Sequence, residues 1–161
     1  MSKLSNFLIN GGFADNGMTF EDIMYSNNAD LETHHNWVQW VFPLPKASRS
    51  VPDSPVLTQE DFDALKAEYY HLDRLVIARR RFLQFLDETD QWMSDHDHNH
   101  LRITRAIECL SLFRGQDYAT DFYDAVFRLL AKNDRDVNKD SKLFWIEATF
   151  YFRNQRTIQW K

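Results

Sequence analysis

The chain has 161 residues, 43% apolar and 27% charged, which is the composition of a folded globular protein and not of a disordered one. Twenty-four acidic against nineteen basic side chains leave a formal charge of −5, which argues against nucleic acid, a partner that needs a basic face. The lone Cys109 allows no internal disulfide, and no apolar run reaches the ~20 residues of a membrane span. Lys3 is followed by no secretory apolar region, so a cytoplasmic protein is the expectation.

The length suits one domain. The pattern predicts a single all-α domain over residues 1–161, with roughly five to seven helices around a central aromatic-rich helix. Thirteen Phe and five Trp make it a core of rings, and only four Gly and four Pro leave room for long helices. Residues 3–9 read as a short helix ended by Gly11-Gly12. Thr19-Phe20-Glu21-Asp22 reads as a cap and a helical turn through Met24, with the acidic pair suited to a helix N-terminus.

Asp30 or Asn28 would cap the next helix, whose Leu31, His34/His35, Val38 and Val41/Phe42 keep helical spacing. Trp37 and Trp40 widen its apolar face, and Pro43 stops it. Residues 43–57 hold all four prolines and predict an extended surface crossing. Thr58-Gln59-Glu60-Asp61 opens another helix, carrying Phe62, Leu65 and Tyr69 and broken near His71. Leu72 to Leu86 gives a helical stripe with Arg79-Arg80-Arg81 inside it, and Trp92 anchors the polar stretch that follows. Leu101, Ile103, Ala106, Ile107, Leu110 and Phe113 form a second stripe closed by Gly115. Asp117 would cap a third, from Tyr118 to Leu130, and Ser141 a last segment over Leu143–Phe152. That segment suits helix or strand, with helix preferred, and an extended tail is expected after about residue 153.

The stretch His35-Asn36-Trp37-Val38-Gln39-Trp40-Val41-Phe42-Pro43-Leu44-Pro45 resembles the signature of the opioid growth factor receptor conserved domain. Gly17-Met18-Thr19-Phe20-Glu21-Asp22-Ile23 is similar to the opening segment of its microbial members, and Pro55-Val56-Leu57-Thr58 to the stretch after the proline crossing. His98-Asn99-His100-Leu101-Arg102-Ile103-Thr104-Arg105 is similar to the run that opens a later helix of the family. The resemblance covers roughly residues 6–148 and implies a compact microbial or phage-type member. In animals the family is known as an enkephalin receptor of the nuclear periphery, so the resemblance implies a peptide-receptor-like domain and supplies no catalytic residues.

Two constellations could carry chemistry. His96, His98 and His100, in a run of alternating Asp, Asn and His, are metal ligands by type and could face one side if extended. Their spacing matches no metal motif, and the plain alternative is an exposed loop leading into a helix. His35, Asn36, Trp37, Gln39 and Trp40, with Asn99, His100, Arg102 and Arg105, would make a polar pocket within an aromatic cage. The alternative there is a satisfied internal network, because most buried polar groups serve structure. Arg79, Arg80 and Arg81 point about 100° apart on a helix and form no phosphate site. They are expected on a solvated face, paired with Glu68, Asp73 or Asp87. Cys109 reads as a packing residue.

The sequence therefore predicts a non-enzymatic protein- or peptide-binding module with no cofactor, no nucleic acid and no membrane partner. A basic protein surface, belonging to a host or other partner, is the expected target of its acidic one. The alternative is a metal-dependent hydrolytic enzyme centred on the His-rich loop 95–100. Convergent His and Asp side chains in a concave site would favour that alternative.

Overall fold

In a computed structural model the chain is all-helical, and residues 1–154 and 158–160 are described. Among the described residues there are nine α-helices and no strand, more helices than the expected five to seven. The chain divides into two compact units, residues 1–78 with 158–161, and residues 79–157. Each has its own buried rings.

The first unit holds α1 (Lys3–Asn10), α2 (Phe20–Tyr25), α3 (Asn28–Thr33), α4 (Trp37–Val41) and α5 (Gln59–Ala67). Helix starts are set by side-chain caps. Thr19 and Thr58 each close a reciprocal capping box, with Asp22 and Asp61 respectively. Gly11, at φ 72°, ends α1 in the left-handed conformation that glycine tolerates. The expected helix over residues 31–42 does not form as one element. Asn27 caps α3, His34 adopts an extended backbone at ψ 98°, and α4 restarts as a five-residue helix.

All five residues of α4 are buried, as is the Pro43-Leu44-Pro45 corner behind it. That corner was expected at the surface with the rest of the crossing. Instead, the Leu57 amide donates to the Leu44 carbonyl, and only the middle of the crossing is exposed. The core of this unit is ring on ring: Phe7 lies edge-on to Trp40 at 5.3 Å and to Phe20 at 6.3 Å. Trp160, in the stretch expected to be an extended tail, lies half-buried against Phe62 at 5.1 Å. The rest of the expected tail, residues 155–157 and 161, lies outside the described residues.

Helix α6 (Tyr69–Glu88) is continuous from one unit into the next. The break expected near His71 falls at Glu68, and His71 itself is fully buried inside the helix. The second unit adds α7 (Asn99–Arg114), α8 (Gln116–Lys132), α9 (Lys139–Ala148) and a 3-10 turn over Tyr151–Asn154. Helix α7 packs on both α8 and α9. Gly115 both ends α7 and caps α8, so the tight link needs its φ of 88°. Asn138, and not Ser141, caps α9 by accepting from the Ser141 amide. The last segment is helix and then 3-10, as preferred.

A candidate binding groove on the second unit

Three elements of the second unit bound an open groove of about 530 Å³: the loop before α7, the first turns of α7, and the start of α9. Its floor is a closed polar network. His100 Nε2 lies 2.7 Å from the Trp92 carbonyl oxygen, so that nitrogen carries a proton. His100 Nδ1 lies 3.2 Å from the Ser141 hydroxyl. The Asn138 amide donates to Ser141 Oγ at 2.9 Å and to the Asp95 carbonyl at 2.5 Å. The ring of Trp145 stands edge-on to His100 and donates from Nε1 to the His100 carbonyl at 3.1 Å. These bonds fix α9 on α7 and leave no imidazole nitrogen of His100 open.

The walls differ from the floor. Leu101 and Phe144 line the groove and are 63% and 56% exposed, so Leu101 does not belong to the buried stripe expected of α7. Leu143 and Ile146 of α9, and Phe150 just past its end, are exposed as well. Leu143 and Ile146 keep the i, i+3 spacing of one helical stripe on α9. Trp145 and Ala148, on the other side of α9, are buried. Asp97 and Asp140 complete the lining with His96 and His98.

Of the predicted metal ligands only His100 joins the floor network, while His96 and His98 stay in the exposed lining. His96 is highly exposed beside Asp95, and His98 is exposed. Among the described residues, His96, His98 and His100 do not bring three ligand atoms within 4.8 Å of one another. Asn99, Arg102 and Arg105 are buried in the second unit, with Arg102 donating to Asn99 Oδ1 at 3.1 Å. Burial pushes the Arg105 guanidinium down, with Cys109, Glu108 and Tyr151 pulling the other way. Burial also pushes the Tyr151 hydroxyl up to about 12, aided by Glu108. Cys109 is fully buried and its thiol is driven up by burial, which suits a packing residue and not a nucleophile.

In the first unit His35 is exposed and Asn36 half-exposed, whereas Trp37, Gln39 and Trp40 are buried. Trp37 donates to the Leu31 carbonyl at 2.9 Å, and Gln39 donates to Ser48 at 3.3 Å, holding the proline crossing. Arg79 lies over Tyr118 and Arg80 is exposed, while the expected partner Asp87 pairs with Lys132. Sequence reasoning missed Asn138, Ser141 and Leu101 as groove residues, and it preferred the core to an exposed aromatic edge for Phe144, which is exposed. The Asn-x-x-Ser spacing at 138–141 signals a cap, but nothing local signals that the cap also reaches His100.

The fold and groove define a class: an all-helical scaffold with an exposed apolar wall and a satisfied polar floor. Among the described residues no helix is long and apolar enough to cross a membrane. The family model of the opioid growth factor receptor (OGFr) conserved region matches residues 1–89, and the chain belongs to that family. The mouse opioid growth factor receptor is 31% identical over 119 residues, covering 61% of this chain and 19% of the mouse protein. The human receptor is 29% identical over 119 residues, covering 61% of this chain and 17% of its own length. Mouse opioid growth factor receptor-like protein 1 is 23% identical over 165 aligned positions, covering 89% of this chain and 35% of that protein. The chain thus spans between about a sixth and a third of the length of these relatives. No solved structure matches it.

Proposed function

We infer that this protein is a non-enzymatic binding module whose partner is another polypeptide, held at the exposed face of α9 and the groove beside it. One observation carries the reading. Helix α9 is apolar on more than its buried side, burying Trp145 and Ala148 while presenting Leu143, Phe144 and Ile146 to solvent, with exposed Phe150 just past its end. Exposed apolar side chains that extend beyond a groove fit a chain laid across them better than a small molecule seated within it. The names of the relatives, receptors by description, support the same class. The hydrolytic alternative is not favoured, because His100 is tied through both nitrogens into a closed network. The net charge of −5 supports a basic partner, with complementarity acting chiefly on rate and specificity.

The test is a paired capture experiment with the wild-type chain and Phe144→Ser as baits. Phe144 is more than half exposed, so the variant should keep its melting transition. The reading predicts a discrete protein retained by the wild type after nuclease treatment, weakened by salt and lost with Phe144→Ser. Equal retention by both baits, or retention of nucleic acid alone, contradicts it.

A further inference from the structure

We propose that the groove between the start of α7 and the start of α9 is a subsite for a short basic-apolar segment, one apolar side chain flanked by lysine or arginine. The inference rests on the polypeptide-binding reading and adds which segment the groove selects.

The argument begins with what the groove lacks. Its lining contains two carboxylates, Asp97 and Asp140, and no lysine or arginine. Neither carboxylate is ion-paired with a lysine or arginine among the described residues. The Asp97 carboxylate accepts from the Asn99 amide at 2.8 Å. Lys142 on α9 is held by Asp136 at 2.9 Å, and Lys139, which opens α9 beside Asp140, does not line the groove.

Two helix N-termini also point at this region, and each is worth roughly half a positive charge. That would favour an anion were they bare. They are not: Asn138 accepts the Ser141 amide, Asp97 accepts the Asn99 amide, and Asp140 sits in the first turn of α9. The lining thus sets two full carboxylate charges against only the partial charges of the two helix ends, with no lysine or arginine among its residues. A cationic side chain is the complement, and an acidic segment or free phosphate is disfavoured.

The floor decides the rest. His100, Ser141 and Asn138 spend their polar atoms on one another and on the backbone, so a ligand finds few fixed partners there. Grip must come from Leu101 and Phe144, which flank the opening with exposed apolar surface. One apolar side chain between them places its neighbours within reach of Asp97 and Asp140. Alternation of apolar and basic residues is the pattern this arrangement reads.

The experiment uses the full chain and three fluorescent blocked hexapeptides: alternating phenylalanine and lysine, phenylalanine and glutamate, and serine and lysine. Anisotropy should report saturable binding of the first peptide alone. The double variant Asp97→Asn with Asp140→Asn keeps the amide-accepting oxygens and should bind it roughly fivefold more weakly, in line with the small worth of exposed charge pairs. Phe144→Ser should abolish the binding. Tighter binding of the glutamate peptide, equal binding of the serine peptide, or indifference to the carboxylate variants would each overturn the proposal. If no peptide binds while wild-type capture of a protein still depends on Phe144, the basic-apolar subsite is wrong and the binding module stands. If capture also ignores Phe144, both fall.

Discussion

Arg74 and Asp61 are charged side chains that the first unit takes out of water, and each is answered by fixed partners. The Arg74 guanidinium donates to the Phe7 and Leu8 carbonyls at the end of α1 and to Glu21, and lies over the rings of Phe20 and Tyr70. Burial pushes the Asp61 carboxyl up, but the hydroxyls of Ser2, Ser5 and Thr58 outweigh it and hold the group below its usual range. His71 has the opposite sense. Burial drives its imidazole down to about 4, against a hydrogen bond with the Leu65 backbone and with help from the charge of Arg74. An unfolded histidine titrates near 6.5, so between about pH 6.5 and 4 the unfolded chain binds more protons than the folded one. The stability tied to neutral His71 is therefore complete above about pH 6.5 and lost as pH falls toward 4, in total about 3 kcal/mol. The Asp61 contribution is lost only at lower pH, below its ordinary carboxylate range. Urea melts of the wild type and His71→Leu across this window should show the slope in the wild type and its loss in the variant. Parallel slopes would mean that His71 is not held neutral by the fold.

At the scale of elements, α4 shows how much a five-residue helix can hold. Trp37 and Trp40 are each 1% exposed, and Trp40 meets Phe7 of α1. Trp37→Ala and Trp40→Ala should each cost about 3–5 kcal/mol, as large buried aromatics do. Denaturant melts showing losses under about 1 kcal/mol at both sites would put this helix at the surface. The composition of α4 and its stop at Pro43 were legible, because bulky rings and a proline act locally. The caps at Thr19 and Thr58 were legible for the same reason, since a capping box spans only four residues. The break at His34 was not, because Leu31 and Val38 keep helical spacing across it and only the backbone turn reveals it. Leu101 was misread on the same ground: periodicity places it on an apolar stripe, but no packing partner covers it. The groove was half legible. The loop 96–100 stood out by its histidines, whereas the wall supplied by Phe144 lies more than forty residues further on and needs the α7–α9 packing to appear.

For the whole molecule, family membership and the candidate site fall on different parts of the chain. The family model matches residues 1–89, while the groove is built from residues 96–144. The family model therefore does not reach the proposed groove, and the relatives extend well beyond the part that this chain matches. The central claim is that a polypeptide lies along α9 and its groove. Its most direct measurement is site-specific photo-crosslinking in native extract, with benzoylphenylalanine placed in turn at Leu101, Phe144 and Tyr25. Tyr25 is the control, an 89% exposed ring on the first unit. The account predicts a discrete protein adduct from positions 101 and 144, resistant to nuclease, and none from position 25. An adduct from position 25 alone, or only nuclease-sensitive adducts from 101 and 144, would contradict it.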